Sequence, residues 1–168
     1  MALSALMTAA LCILAPLSVP IGPVPITLGV LVVALFPYFL DAKLSVLSVI
    51  LYLLIGAIGL PVFSGFEGGL QKLVGPTGGY LIGYIPLVLT GGAFIEKSQK
   101  RLMHSLGLSL GLILCYALGT VWLAVFLKIG FFPALSKAVL PFIPFDTAKL
   151  AIAVIVGPMI RKRVHAAL

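Results

Sequence analysis

Four runs of this chain contain no Asp, Glu, Lys or Arg: residues 1–40, 44–66, 73–95 and 105–127, the last three each 23 residues long. A helix needs about 20 apolar residues to cross the hydrocarbon core of a bilayer. Each 23-residue run is therefore long enough for one crossing. The first run is long enough for two, and Pro16, Pro20, Pro23 and Pro25 interrupt it. Residues 138–160 are apolar apart from Asp146 and Lys149. These runs predict six helices, at about 2–18, 26–40, 44–60, 78–95, 104–127 and 146–163. Transmembrane strands would alternate apolar and polar residues, and stretches such as Leu44 to Leu54 do not. The expected fold is an all-α membrane protein: one integral domain over residues 1–168, a bundle of six transmembrane helices with long outer loops.

Composition removes the soluble alternatives. Hydrophobic residues make up 62% and charged residues 9%, against about 45–50% and about 25% in soluble domains. The net charge of +7 comes from 11 basic and 4 acidic residues. In a soluble chain that balance would point to nucleic acid, but in so apolar a chain it points to a membrane. Residues 1–19 lack the basic opening of a secretory signal and read as a retained helix. With the N-terminus inside, Lys43, Lys97, Lys100, Arg101, Arg161, Lys162 and Arg163 fall on the inner side, and Lys72, Lys128, Lys137 and Lys149 on the outer. That bias predicts cytoplasmic N- and C-termini in a multi-pass protein of the cell (inner) membrane. Cys12 and Cys115 fall inside spans and read as packing residues, and His104, at an inner helix end, as a surface residue.

Catalytic chemistry is sparse. The nearest approach to a phosphate-binding loop is 91–98, where Glu96 stands in place of the glycine required before Lys97 and Ser98. No His, Cys or carboxylate group has metal-ligand spacing, and four acids leave little for acid–base catalysis. Binding or transport is expected, with no catalytic residue, metal or cofactor of the chain's own.

The outer loops carry the turn chemistry: 18–27, 59–80 and 130–145. The second holds seven glycines between Gly59 and Gly79, with Phe63, Phe66 and Tyr80 around them. It reads either as an ordinary Gly/Pro turn or as a lid or pocket wall for a small ligand, because irregular backbone at membrane depth is tolerated where it lines a cavity. The other signal is Asp146 with Lys149, three residues apart and so on one helix face. Two readings stay open. Asp146 could cap a helix while Lys149 snorkels, or the pair could face a cavity and hold a polar, uncharged group bearing both N–H and C=O. Trp122 and Tyr116, six apart, read first as interface or packing aromatics, with Trp122 kept as a weaker ligand candidate.

These residues resemble a known family. Gly59-Leu60-Pro61-Val62-Phe63, Gly68-Gly69 and Gly75-Pro76-Thr77-Gly78-Gly79-Tyr80-Leu81 are similar to the signature of the biotin-specific substrate-binding (S) components of energy-coupling-factor transporters, the BioY family. Pro23-Val24-Pro25-Ile26-Thr27-Leu28, Cys115 to Trp122, and Pro144-Phe145-Asp146-Thr147-Ala148-Lys149 fit the same pattern, in order, across nearly the whole chain. One departure is Gly29, where the pattern usually has Gln.

The resemblance implies a protein that captures biotin from outside the cell. Asp146 and Lys149 would hold the ureido ring, with Thr27, Phe63, Gly75, Thr77, Gly78, Gly79, Tyr80 and Trp122 contributing to the site. By chemistry and position, Gln71 and Lys72, with backbone N–H groups of the glycine loop, are the expected donors to the valerate carboxylate. The resemblance also implies docking to a transmembrane coupling protein that joins two ATPase subunits, which would use the ATP. The small pair Ala5 and Ala9 on the first helix could serve that docking or simply pack within the chain. The alternatives are an S component for another small vitamin and, from a different class, a membrane-embedded enzyme or a channel.

Overall fold

A computed structural model of the chain describes residues 2–21 and 23–167. The elements run α1 (Ala2–Leu14), β1 (Ser18–Ile21), β2 (Val24–Thr27), α2 (Gly29–Phe39), α3 (Ala42–Ala57), α4 (Leu70–Val74), α5 (Gly78–Ile82), α6 (Tyr84–Lys97), α7 (Arg101–Leu127), α8 (Phe131–Ala138) and α9 (Ile143–Ala167). Three helical stretches are long and apolar enough to cross a membrane, namely Gly78–Lys97, Arg101–Leu127 and Ile143–Arg163. Helices α1, α2 and α3 are apolar but shorter. The chain is thus a mostly helical, multi-pass membrane protein.

Polarity is arranged for lipid. Leu106, Leu110, Ile113, Leu118, Val121 and Val125 are exposed along α7, while Ser4, Thr8, Ser45 and Ser48 are buried between helices. Ser4 and Ser48 share a hydrogen bond of 2.7 Å between α1 and α3, and the Thr8 hydroxyl donates to the Ser4 carbonyl at 3.0 Å. Lipid tails are as apolar as leucine, so close packing and such interhelical bonds hold these helices together. Helix α6 sits centrally, packed on α7, α3 and α2, and α9 leans chiefly on α2. Gly111 of α7 lies against the Leu87 backbone, an approach that a Cβ would prevent.

The structure corrects several boundaries. The first helix stops at Leu14, not near residue 18, and the first outer loop is an antiparallel ribbon pairing Ser18 with Thr27 and Pro20 with Pro25. The fold is therefore not purely α. Proline is tolerated here because in a two-stranded ribbon alternate residues turn their N–H groups outward, away from the ladder. The span expected at 78–95 is two helices meeting at Gly83, whose backbone packs on Cys115. The second outer loop contains the short helix α4, entered at Gly69 with φ of 92°, a left-handed value that suits glycine. The third contains α8. Cys12 and Cys115 are free thiols. His104 is buried, not on the surface: it is 2% exposed, its Nε2–H donates to the Ser98 carbonyl at 2.8 Å, and its ring meets Tyr38 edge-on.

Candidate functional site

One half of the bundle encloses a cavity where the β-ribbon, α2, α3, α5, α7 and α9 converge. The cavity volume is about 60 Å³, room for several waters at about 10–15 Å³ each. The walls are largely apolar, from Ala15, Val24, Val30, Leu81, Leu112 and Phe142. Four of the chain's five tyrosines, Tyr52, Tyr80, Tyr84 and Tyr116, also line it. A mostly apolar cavity with a few convergent polar groups is the usual form of a small-molecule site.

Asp146 and Lys149 close one side. Helix α9 begins at Ile143 and tolerates Pro144 because the first-turn N–H groups lack intrahelical partners anyway. Asp146 is not the N-cap: its own N–H donates to the Phe142 carbonyl at 2.8 Å. Its side chain instead faces inward and is 3% exposed, with Lys149 at 9%. Lys149 Nζ donates to Asp146 Oδ1 at 2.7 Å, and the Tyr116 hydroxyl donates to Asp146 Oδ2 at 2.7 Å from α7. Two buried opposite charges offset part of their desolvation cost, and the hydroxyl satisfies the second oxygen. Lys149 has three N–H donors and Asp146 accepts along about four lone-pair directions, so both keep capacity for a ligand.

The loop residues divide. Thr77 and Tyr80 line the cavity, as do Thr27 and Ser64. Gly75, Gly78, Gly79, Phe63 and Trp122 do not; they build the wall behind it. The Trp122 indole N–H donates to the Gly75 carbonyl at 2.8 Å, and Gly78 and Gly79 pack against the Leu73 carbonyl and the Trp122 side chain, where any Cβ would collide. Phe63 is fully buried, edge-on to Tyr52 and pressed on Gly56. Tyr80 packs its ring on Gly119.

Gln71 and Lys72 are also absent from the cavity lining. Lys72 pairs with Glu67 at 3.0 Å, and the Gln71 amide donates to the Gly68 carbonyl at 3.1 Å. Both are taken up in bracing α4 against its own loop. Gly29, the departure from the family pattern, leaves the space that the Tyr84 hydroxyl fills, since a Cβ there would stand 2.6 Å from that oxygen. Ala5 and Ala9 are exposed on the outer face of α1.

Tyr116, Tyr84, Tyr52 and Ser64 line the cavity without having been expected there. Tyr116 could have been found by pairing it with the only acid inside the last span, since a buried carboxylate needs a second donor.

A model of the BioY family matches residues 1–166. The chain is 43% identical over 155 residues to the Probable biotin transporter BioY of Pyrococcus horikoshii, covering 92% of this chain and 91% of that one. It is 41% identical over 155 residues to the biotin transporter BioY of Thermotoga maritima, with the same coverage of 92% and 91%. In three dimensions it is similar to the S-component for biotin from an ECF-type ABC transporter, known from a 2.1 Å crystal structure, with a TM-score of 0.87 and 34% identity over 95% of this chain and 88% of that one.

Proposed function

This chain belongs to the BioY family, and from that premise we propose that it is a biotin-binding S component that captures the vitamin for an energy-coupling-factor transporter. It is a transport subunit and not an enzyme. The observation that carries the reading is the Tyr116–Asp146–Lys149 network on the wall of an apolar cavity. A ureido ring presents two N–H donors and one carbonyl acceptor in one plane. Asp146 accepts from the N–H groups while the Lys149 ammonium donates to the carbonyl, and charge-assisted bonds of this kind are roughly twice as strong as neutral ones. The aliphatic wall of Val30, Leu81, Leu112 and Phe142 takes the sulfur ring and the chain.

The carboxylate end of the ligand meets hydroxyls in this reading. Thr27, Ser64 and Thr77 are the small hydroxyl residues of the lining, and they lie on the β-ribbon and the glycine-rich loop. They replace Gln71 and Lys72 as candidate donors. The wall-forming Gly75, Gly78, Gly79, Phe63 and Trp122 act through the loop's position.

Six crossings, by α1, α2, α3, α5 with α6, α7 and α9, with both termini cytoplasmic in the inner membrane, complete the arrangement. Its support is that the basic helix ends gather at the side away from Asp146: Glu96 of α6 accepts from the Ala42 N–H at 2.6 Å, and Arg161 of α9 reaches the Ile95 carbonyl at 3.5 Å. The partners are a transmembrane coupling protein and two ATPase subunits, with Ala5 and Ala9 presented on α1 for the former.

Calorimetric titration of the purified protein in detergent with biotin, thiamine and riboflavin tests the assignment. Saturable heat with biotin alone is expected. Heat with another vitamin and none with biotin would transfer the scaffold to a different ligand.

A further inference from the structure

At the end of the bundle opposite the Asp146 cavity lies a second pocket of about 400 Å³, lined by Gln99, Arg101, His104, Pro158, Arg161 and Lys162. It sits between the start of α7 and the later turns of α9. Three of its six residues are cationic, and it lies at the N-terminus of a 27-residue helix that has no acid in its first turn and no side-chain cap. Helix N-termini carry a partial positive charge and unpaired N–H groups. The two carboxylates at this end are occupied elsewhere: Asp41 accepts from the Leu44 N–H at 2.7 Å and Glu96 from the Ala42 N–H at 2.6 Å.

His104 supplies an independent sign of a missing partner. The Ser98 carbonyl takes its Nε2–H, so its buried Nδ1 is an acceptor without a partner among the described residues, one that a headgroup hydroxyl and not a phosphate oxygen would satisfy. Buried polar atoms are rarely left unpaired. Orienting the chain in a membrane requires positive charge on one side, but not a cavity with a buried histidine in its wall.

The same two helices continue into an apolar groove. About one turn on from Arg101 and Pro158, residues Ser105, Ser109, Ile113, Val154 and Ile155 line a lateral groove of about 540 Å³ between α7 and α9. Arg101 and Ser105 are four apart, as are Val154 and Pro158, so pocket and groove share helix faces. A cationic pocket at the end of a membrane-spanning helix pair, running into an apolar groove along that pair, has the shape and polarity of a phospholipid.

We propose that the chain holds one anionic phospholipid here, its phosphate among Arg101, Arg161 and Lys162 and an acyl chain in the α7/α9 groove.

Native mass spectrometry of the protein released from micelles with equal phosphatidylglycerol and phosphatidylcholine tests this. Phosphatidylglycerol should be retained at least about fivefold over phosphatidylcholine, the factor expected from about 1 kcal/mol per basic residue near anionic lipid. Arg101→Gln with Lys162→Gln should lower that preference by about fivefold for each charge removed. Lys128→Gln with Lys137→Gln, at the other end, should leave the preference intact. Biotin titration of each variant shows whether it is folded, and if the double variant is not, Arg161→Gln alone is read instead with a loss of about fivefold. Equal retention by the wild type, a preference that survives neutralisation, or displacement of the lipid by inorganic phosphate at millimolar concentration would overturn the proposal. Biotin binding is read in the same samples, so failure here leaves the substrate assignment standing.

Discussion

The Tyr116 hydroxyl donates to Asp146 Oδ2 at 2.7 Å, tying the middle of α7 to the first turn of α9. The bond fixes the carboxylate plane, so the oxygen shared with Lys149 stays on the cavity wall. Tyr116→Phe keeps the ring and removes the donor. A hydrogen bond to a charged group contributes about 1.5–3 kcal/mol, and 1.4 kcal/mol is tenfold in affinity. Because the bond is already made without ligand, Tyr116→Phe is expected to lower the melting temperature by several degrees, and the loosened carboxylate should weaken biotin binding about tenfold by calorimetry.

Removing the cation separates stability from function. Lys149→Met leaves Asp146 buried without its counter-charge, which costs about 3–5 kcal/mol, and the melting temperature in detergent should fall accordingly. Adding Asp146→Asn removes the stranded charge. The double variant should regain most of the lost thermal stability and bind no biotin. A double variant that regained binding as well would place the ureido contacts elsewhere.

The glycine-rich loop acts by close packing. A Cβ on Gly78 would run into the Leu73 carbonyl, which is backbone and cannot rotate away. Gly78→Ala is expected to destabilise the protein by about 1–3 kcal/mol, as overpacking does, and to weaken biotin binding through displacement of Thr77 and Tyr80. Thermal melts and titrations of the same preparation check both effects.

Trp122 is the sole tryptophan and its N–H is held by the Gly75 carbonyl at 2.8 Å. Its fluorescence therefore reports on the loop behind the cavity. Biotin should change the emission of the wild type if the loop tightens on the ligand. Trp122→Phe should cost about 1 kcal/mol in stability through the lost hydrogen bond.

Ala5 and Ala9 leave a shallow, exposed stripe on α1. Leucine at both positions should block close helix approach. Co-purification with the coupling protein is expected to drop severalfold, with biotin affinity unchanged.

Much of the fold was legible because a bilayer leaves few options: uncharged runs of 23 residues must be helical to satisfy their backbone. Asp146 and Lys149 stood out for a related reason, since charge inside a span needs a partner. What could not be read was which helix faces which. Tyr116 looked like any interfacial aromatic until α7 and α9 were placed side by side. The surroundings of Gln71 and Lys72 were not legible because their local partners, Gly68 and Glu67, are brought to them by the turn at Gly69. The ribbon at 18–27 was hidden by Pro20 and Pro25, which a longer sheet would reject but a two-stranded one accepts. His104 was read as a surface residue, and its burial depends on the packing of Tyr38.

Asp146 is the centre of the proposed biotin site, and calorimetric titration of biotin into wild type and Asp146→Asn in the same detergent tests that role most directly. Saturable binding of one biotin per wild-type chain is expected, with at least about tenfold weaker binding to the variant from loss of charge-assisted bonds. Folded wild type that gave no heat with biotin, or an Asp146→Asn variant that bound it as tightly, would contradict it.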